Sequence, residues 1–185
     1  IENLTAAQLA SANNFGYTIK LLAIAKRLGN KLYTFVGPTL IEHNNQLAQV
    51  NGVQNAVAVE SNALGSSIYT GPGAGAKPTA NSILSDLAAV ANDILDYDCG
   101  SEFNNYHNEL APCSLTTVPQ SYLVTTYGTS VKPTNAINWQ GETNSNNYWS
   151  GLTPVISHQE LESFLKSLPK NSAVSYLPIY NTAKL

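Results

Sequence analysis

The chain has no methionine, and only 11% of its 185 residues are charged. A soluble domain usually carries about a quarter charged residues, so Asn, Ser, Thr and Tyr must take their place on the surface. Nine Lys and Arg stand against twelve Asp and Glu, giving a net charge of −3 and a pI near 5.5. No basic face is then available to follow a phosphate backbone, which argues against a nucleic-acid binder. No apolar run approaches the ~18 residues of a membrane span, so no membrane partner is expected. No signal-peptide pattern is read at the start. Residue 1 is Ile, so the sequence reads as a processed product or a fragment of something longer. The two cysteines, Cys99 and Cys113, lack metal spacing and lie in polar surroundings, which suits reduced thiols in a cytoplasmic protein. His43, His107 and His158 are dispersed, so no metal site is expected. Asp93, Asp96 and Asp98 read as a solvated helix end rather than an acid–base pair. Ser, His and Asp occur without a G-x-S-x-G or comparable nucleophile context.

What is there begins with a hydrophobic content of 43%, enough for one medium domain or two small ones. The most informative stretch is Thr70-Gly-Pro-Gly-Ala-Gly-Ala-Lys-Pro-Thr-Ala-Asn-Ser-Ile-Leu-Ser-Asp86. Gly71, Gly73 and Gly75 run into a strong helix pattern. Glycine allows sharp turns and close approach, and a helix start aims free N–H groups at the preceding loop. Such a loop suits a phosphate, a carboxylate or the polar edge of a cofactor. It is not a P-loop, because Lys77 follows Ala76 and precedes Pro78. It is not a dinucleotide fingerprint either, because Ala76 takes the third glycine position and no βαβ acidic residue follows. A tight strand-to-helix turn with no ligand remains the plain alternative.

Along the chain, Thr5-Ala-Ala-Gln8 forms a capping box opening a short helix to about Asn13, with Ala6, Leu9 and Ala10 on its inner face and Gly16 ending it. That use of Thr5 outweighs the glycosylation sequon Asn3-Leu4-Thr5. Residues 17–27 read as a strand buried on both faces or as a helix. Leu32 to Val36 alternates into a strand that Gly37-Pro38 breaks. Residues 42–52 form a turn or short helix. Val53 to Val59 and Ser66 to Tyr69 pair around a turn at 62–65. A helix from Pro78 to Asp96 carries an apolar stripe of Ile83, Leu84, Leu87, Val90, Ala91, Ile94 and Leu95. Residues 97–120 are a linker. Beyond it come strands at Tyr122–Tyr127 and Ala136–Trp139, a weaker one within 148–156, a helix capped by Ser157-His-Gln-Glu160 and stopped by Pro169, and an edge strand over 174–180. Trp139, Trp149 and the tyrosines suit an interface or ordinary packing.

Two segments carry a family resemblance. One is Asn14-Phe-Gly-Tyr-Thr-Ile-Lys-Leu-Leu-Ala-Ile-Ala-Lys26 leading to Gly37-Pro-Thr-Leu-Ile41. The other runs from Leu47-Ala-Gln-Val-Asn-Gly-Val-Gln-Asn-Ala-Val57 into Gly71-Pro-Gly-Ala-Gly75 and Pro78-Thr-Ala80. In this order they resemble the substrate-binding domain of homoserine dehydrogenase over about residues 1–97. The tail, 120–182, weakly resembles a reduced ACT-type regulatory domain. The resemblance implies an α+β fold: an antiparallel or mixed sheet covered by helices, then a small ferredoxin-like, ACT-like unit. The domains are then 1–98 for substrate binding and dimerisation, 99–119 for the linker, and 120–185 for the ACT-like part. It also implies interconversion of homoserine and aspartate 4-semialdehyde with NAD or NADP, on the route to threonine and methionine, in a homo-oligomer expected to be a dimer.

Carried over by the resemblance, Gly75 stands next to the cofactor, with Gly73 and Thr79 as neighbours. Lys20 falls on the Lys of a D-x-x-x-K pattern and becomes the catalytic residue, with Gly16 in the Asp position. A lysine between Ile19 and Leu21 is otherwise unusual, although a snorkelling structural lysine fits too. The departures are the absent N-terminal Rossmann domain, the missing Asp at Gly16, Asn45-Gln46 where the family has His-Pro, and no room for a first ACT helix. The chain therefore reads as the C-terminal portion of the enzyme, inactive alone, with the glycine loop as one wall of a nicotinamide site. The alternatives are a non-enzymatic relative serving assembly or small-molecule binding, and an unrelated α+β binding protein with a convergent turn.

Overall fold

The computed structural model describes residues 4–95, 111–128, 132–133, 137–169 and 173–180. In chain order the elements are α1 (Ala6–Asn14), β1 (Tyr17–Leu28), β2 (Lys31–Glu42), a 3₁₀ turn (Gln46–Gln49), β3 (Gln54–Ser61), β4 (Gly65–Pro72), α2 (Ala76–Leu95), β5 (Pro112–Ser114), a 3₁₀ turn (Leu115–Thr117), β6 (Tyr122–Tyr127), β7 (Gly141–Ser145), β8 (Tyr148–Leu152), α3 (His158–Ser167) and β9 (Ala173–Pro178). The class is α+β, as the resemblance implies. The chain forms two compact units, Ile1–Asn45 with Glu109–Leu185, and Gln46–Asn108.

In the first unit, Thr5 caps α1 with both halves of the capping box in place, satisfying N–H groups that a helix start leaves unpaired. The buried face of α1 is Gln8, Ser11 and Ala12, whereas Leu9 is 53% exposed. The expected inner face of Ala6, Leu9 and Ala10 is therefore incorrect. The deciding contact is polar: the Ser11 hydroxyl donates to Ser150 Oγ at 2.8 Å, and Ser150 shares a 2.9 Å bond with Thr125. Three hydroxyls far apart in sequence choose the face.

Gly16, at φ 81°, turns the chain into β1. Residues 17–27 resolve to strand, paired antiparallel with β2 from Tyr17↔Glu42 to Leu28↔Lys31. β2 does not break at Gly37-Pro38 as expected. The backbone N–H of Tyr180 donates to the Leu40 carbonyl at 2.8 Å. Backbone groups alternate sides along a strand, so the even residues of β2 aim theirs away from β1. Pro38 is one of these, and its missing N–H removes no β1–β2 bond. The Phe35 ring lies over Gly37, 2.7 Å from where a β-carbon would stand, covering the glycine. β5 adds to the other edge of β2 in parallel, through Leu32↔Pro112 to Thr34↔Ser114. Part of the expected linker is thus a strand, and it contains Cys113. Cys99, His107, Asp96 and Asp98 lie outside the described residues.

The tail is an antiparallel sheet in the order β7-β8-β6-β9. With α3 between its last two strands, this is the ferredoxin-like strand order. No helix is described between β6 and β7. The expected strand ending at Trp139 is replaced by β7, two residues further on. Ile137 and Trp139 pack instead against a core of Tyr122, Val124, Ile156, Leu161 and Phe164, with Trp139 edge-on to Trp149 and to Phe164. A second core joins Ala12 and Leu40 to Leu123 and Leu177. Apolar side chains from both ends of the sequence share that core, so compactness divides the chain elsewhere than the composition shift near 98–120.

The second unit is a β3–β4 hairpin, in register from Gln54↔Pro72 to Ser61↔Gly65, followed by α2. The stripe expected on α2 is there, but none of the helix's 20 residues is buried. Ile83, Leu84, Leu87, Val90, Ile94 and Leu95 are 54–75% exposed.

Candidate functional site

The glycine loop joins β4 to α2 in the second unit. Gly73 donates its N–H to the Val53 carbonyl at 2.9 Å. The side-chain amide of Asn55 sits where a β-carbon at residue 73 would be. Gly75 has φ 118°, a conformation L side chains rarely adopt. Its carbonyl accepts the Thr79 N–H at 3.1 Å and the Thr79 hydroxyl at 2.9 Å. Gly71 has nothing within 4 Å on its β-carbon side.

The three residues expected around the cofactor, Gly73, Gly75 and Thr79, are thus brought into one turn. Their backbone and hydroxyl groups are largely committed to holding it. Thr79 positions Gly75, and Gly73 makes room for Asn55. What remains for a ligand is the outer face of Gly71 and the first N–H groups of α2, with the helix dipole behind them. These fit the polar edge of a nicotinamide or a phosphate on one side.

Lys20 lies in the first unit, on β1 opposite Thr39. Side chains alternate across a strand, so Lys20 points to the face opposite Ile19 and Leu21. Its apolar neighbours in sequence therefore do not bury it; it is half-buried. Ile19 meanwhile packs against the core of Ala12, Leu40, Leu123 and Leu177.

Residues 1–88 match the family model of homoserine dehydrogenase. The chain is 40% identical over 95 residues to the homoserine dehydrogenase of Lactococcus lactis, covering 51% of this chain and 22% of that protein. It is 46% identical over 90 residues to that of Pseudomonas aeruginosa, covering 49% and 21%. A solved homoserine dehydrogenase from Thiobacillus denitrificans superposes on 98% of this chain with a TM-score of 0.76, at 24% identity, over 46% of its own length. The chain therefore spans about a fifth of these curated relatives and under half of the solved protein. The last comparison carries the fold across β6–β9, beyond the residues 1–88 that the family model matches.

The sequence reading missed a second feature. The first unit contains a cavity of about 180 Å³. Lys26, Ile24 and Phe35 enter it from β1 and β2, and Gln120, Ser121 and Tyr180 from the tail. Burial lowers the pKa of Lys26 from its ordinary value. At the other end of β1, Tyr17 and Glu42 also line it; burial, then the Glu42 charge, raises the Tyr17 pKa. The one signal in the sequence was a second lysine six residues after Lys20, on the same face of the same strand. Among the described residues no group of His, Cys, Asp and Glu could hold a metal ion, and no helix is long and apolar enough to cross a membrane.

Proposed function

We propose that this chain is the substrate-side portion of a homoserine dehydrogenase, which interconverts L-homoserine and L-aspartate 4-semialdehyde in threonine and methionine synthesis. The observation that carries this is the glycine turn followed by α2, whose whole apolar stripe is exposed, within a segment that matches the family. A long amphipathic helix draws its stability from packing that stripe. A further nucleotide-binding domain is its natural cover, and the chain alone is inactive.

The cofactor, NAD or NADP, supplies or accepts the hydride. The turn at Gly73–Gly75 forms one wall beside it, with Thr79 fixing the Gly75 carbonyl. Lys20 binds the substrate or donates the proton that the developing alkoxide needs. The segments 1–98 and 120–185 then act as the substrate and dimerisation part and a reduced ACT-like part in a cytoplasmic dimer.

A chimera tests the reading. Residues 1–95 replace the matched segment of the Lactococcus lactis enzyme, and homoserine-dependent reduction of NAD or NADP is followed. Activity is expected in the chimera and not in this chain alone. Lys20→Ala should lower kcat at least tenfold, whereas Gly75→Ala should chiefly raise the KM for the cofactor. A folded chimera without activity would favour the non-enzymatic module, and turnover by the isolated chain would refute the claim of inactivity.

A further inference from the structure

The glycine turn has little beneath it. β3 and β4 carry no buried residue, and neither does α2. A loop without a core under it is placed by the few local contacts it makes. At the helix end Thr79 holds the Gly75 carbonyl, and at the hairpin end the Val53 carbonyl holds the Gly73 N–H at 2.9 Å. Asn55 adds a contact of another kind. Its partner in the register is Gly71, and cross-strand partners ordinarily meet side chain to side chain. Gly71 has no side chain, and nothing lies within 4 Å on its β-carbon side. The Asn55 side chain passes that space and lies on Gly73 instead. Its amide nitrogen takes the place of a β-carbon there, with Cγ 2.5 Å from the same point.

We propose that Asn55 is the positioning residue of the glycine turn: its carboxamide stands in for the side chain that Gly73 lacks and sets where Gly71–Gly75 meets the cofactor. For the identity of that cofactor the proposal rests on the dehydrogenase reading above. Gly73 is not among the glycines with positive φ, so its backbone accepts an alanine. What opposes one is Asn55, which supplies all three of the atoms nearest to the β-carbon position. An alanine at 73 and the carboxamide of 55 compete for one volume, which makes glycine and asparagine a matched pair. The carboxamide bears on the Cα of Gly73 while Val53 holds its N–H, so two restraints from different directions fix one residue. By leaning to Gly73, Asn55 also leaves the surface over Gly71 open, and that is the face of the turn still free for a ligand. A shift of the turn by a few tenths of an ångström would be felt first by a group packed on that face.

The chimera described above, with its nucleotide-binding domain in place, is titrated with NADH and NADPH by nicotinamide fluorescence and assayed with homoserine. Asn55→Ala should raise the Kd and KM of the cofactor at least fivefold and leave the KM for homoserine within twofold. Gly73→Ala should do the same, because the new methyl pushes the carboxamide off the turn. The double variant should bring the cofactor constants back to within twofold of the parent, since the methyl then fills the vacated space. Glu60→Gln, exposed at the far end of β3, should change neither constant. A double variant as weak as Asn55→Ala would make the asparagine a direct partner of the cofactor and overturn the positioning role. Unchanged cofactor binding in folded Asn55→Ala, or an equal rise in both KM values, would overturn it as well. A parent chimera that binds cofactor without turnover would refute the dehydrogenase reading, while the Kd values of the variants would still decide the role of Asn55. A folded parent that binds no cofactor would refute both.

Discussion

The side-chain amide of Asn55 on β3 occupies the space that a β-carbon on Gly73 would fill. A glycine chosen in the sequence for its closeness to a ligand is explained first by closeness to its own hairpin. Gly73→Ala should force the amide aside and cost about 1–3 kcal/mol, in the range of overpacking. Asn55→Ala in the same chain should recover most of that loss. Chemical denaturation of the two single variants and the double variant measures the coupling; additive losses would contradict the contact.

The buried hydroxyls of Ser11, Ser150 and Thr125 form one short chain linking α1 to β8 and β6. Ser150→Ala removes the central member and leaves two buried hydroxyls without it. A loss of about 1–3 kcal/mol is expected. Ser11→Ala added to it should cost less than it does alone, because its partner is already gone. Equal costs in both backgrounds would show that the hydroxyls act separately.

Gly151 lies under the rings of Trp149 and Trp139. Gly151→Ala should push the two indoles apart, with the nearest ring atom now 2.5 Å from the new β-carbon position. The near-ultraviolet circular dichroism of the tryptophan pair should fall, together with about 1–3 kcal/mol of stability. An unchanged spectrum would mean that the rings do not meet there.

Glu160 completes the cap of α3. The Ser157 N–H and hydroxyl both donate to its carboxylate and hold its pKa below the ordinary 4.5. A carboxyl whose folded pKa is depressed adds stability above its unfolded value, and that contribution is lost as pH falls through the folded value. Melting temperature measured from pH 6 to pH 3 should therefore fall less steeply in Glu160→Gln than in the parent. Parallel curves would show that the cap does not titrate.

Local chemistry made part of this fold legible. Thr5-x-x-Gln8 and Ser157-x-x-Glu160 each place two complementary groups three residues apart, so both helix starts follow from sequence alone. The stripe on α2 and the β3–β4 pairing follow from periodicity in the same way. The turn at Gly75 was readable too, because only a missing β-carbon tolerates that backbone conformation. Lys20 was read less well: apolar neighbours in a sequence say nothing about burial once strand alternation sends them to the other face.

Other features depended on partners distant in the chain. Gly37-Pro38 looks like a break until the pairing of Leu40 with the tail shows which edge Pro38 turns its missing N–H toward. The inner face of α1 was set by Ser150 and Thr125, more than a hundred residues away, and not by Leu9. The cavity at Lys26 exists because β5 and Ile179 meet β2 at two separated places. Sequence determined the caps, the periodic faces and the likeness of residues 1–88 to homoserine dehydrogenase, since these rest on short-range chemistry and local motifs. Tertiary structure decided which faces are buried and where the cavity opens, because burial belongs to pairs of surfaces that no single segment contains.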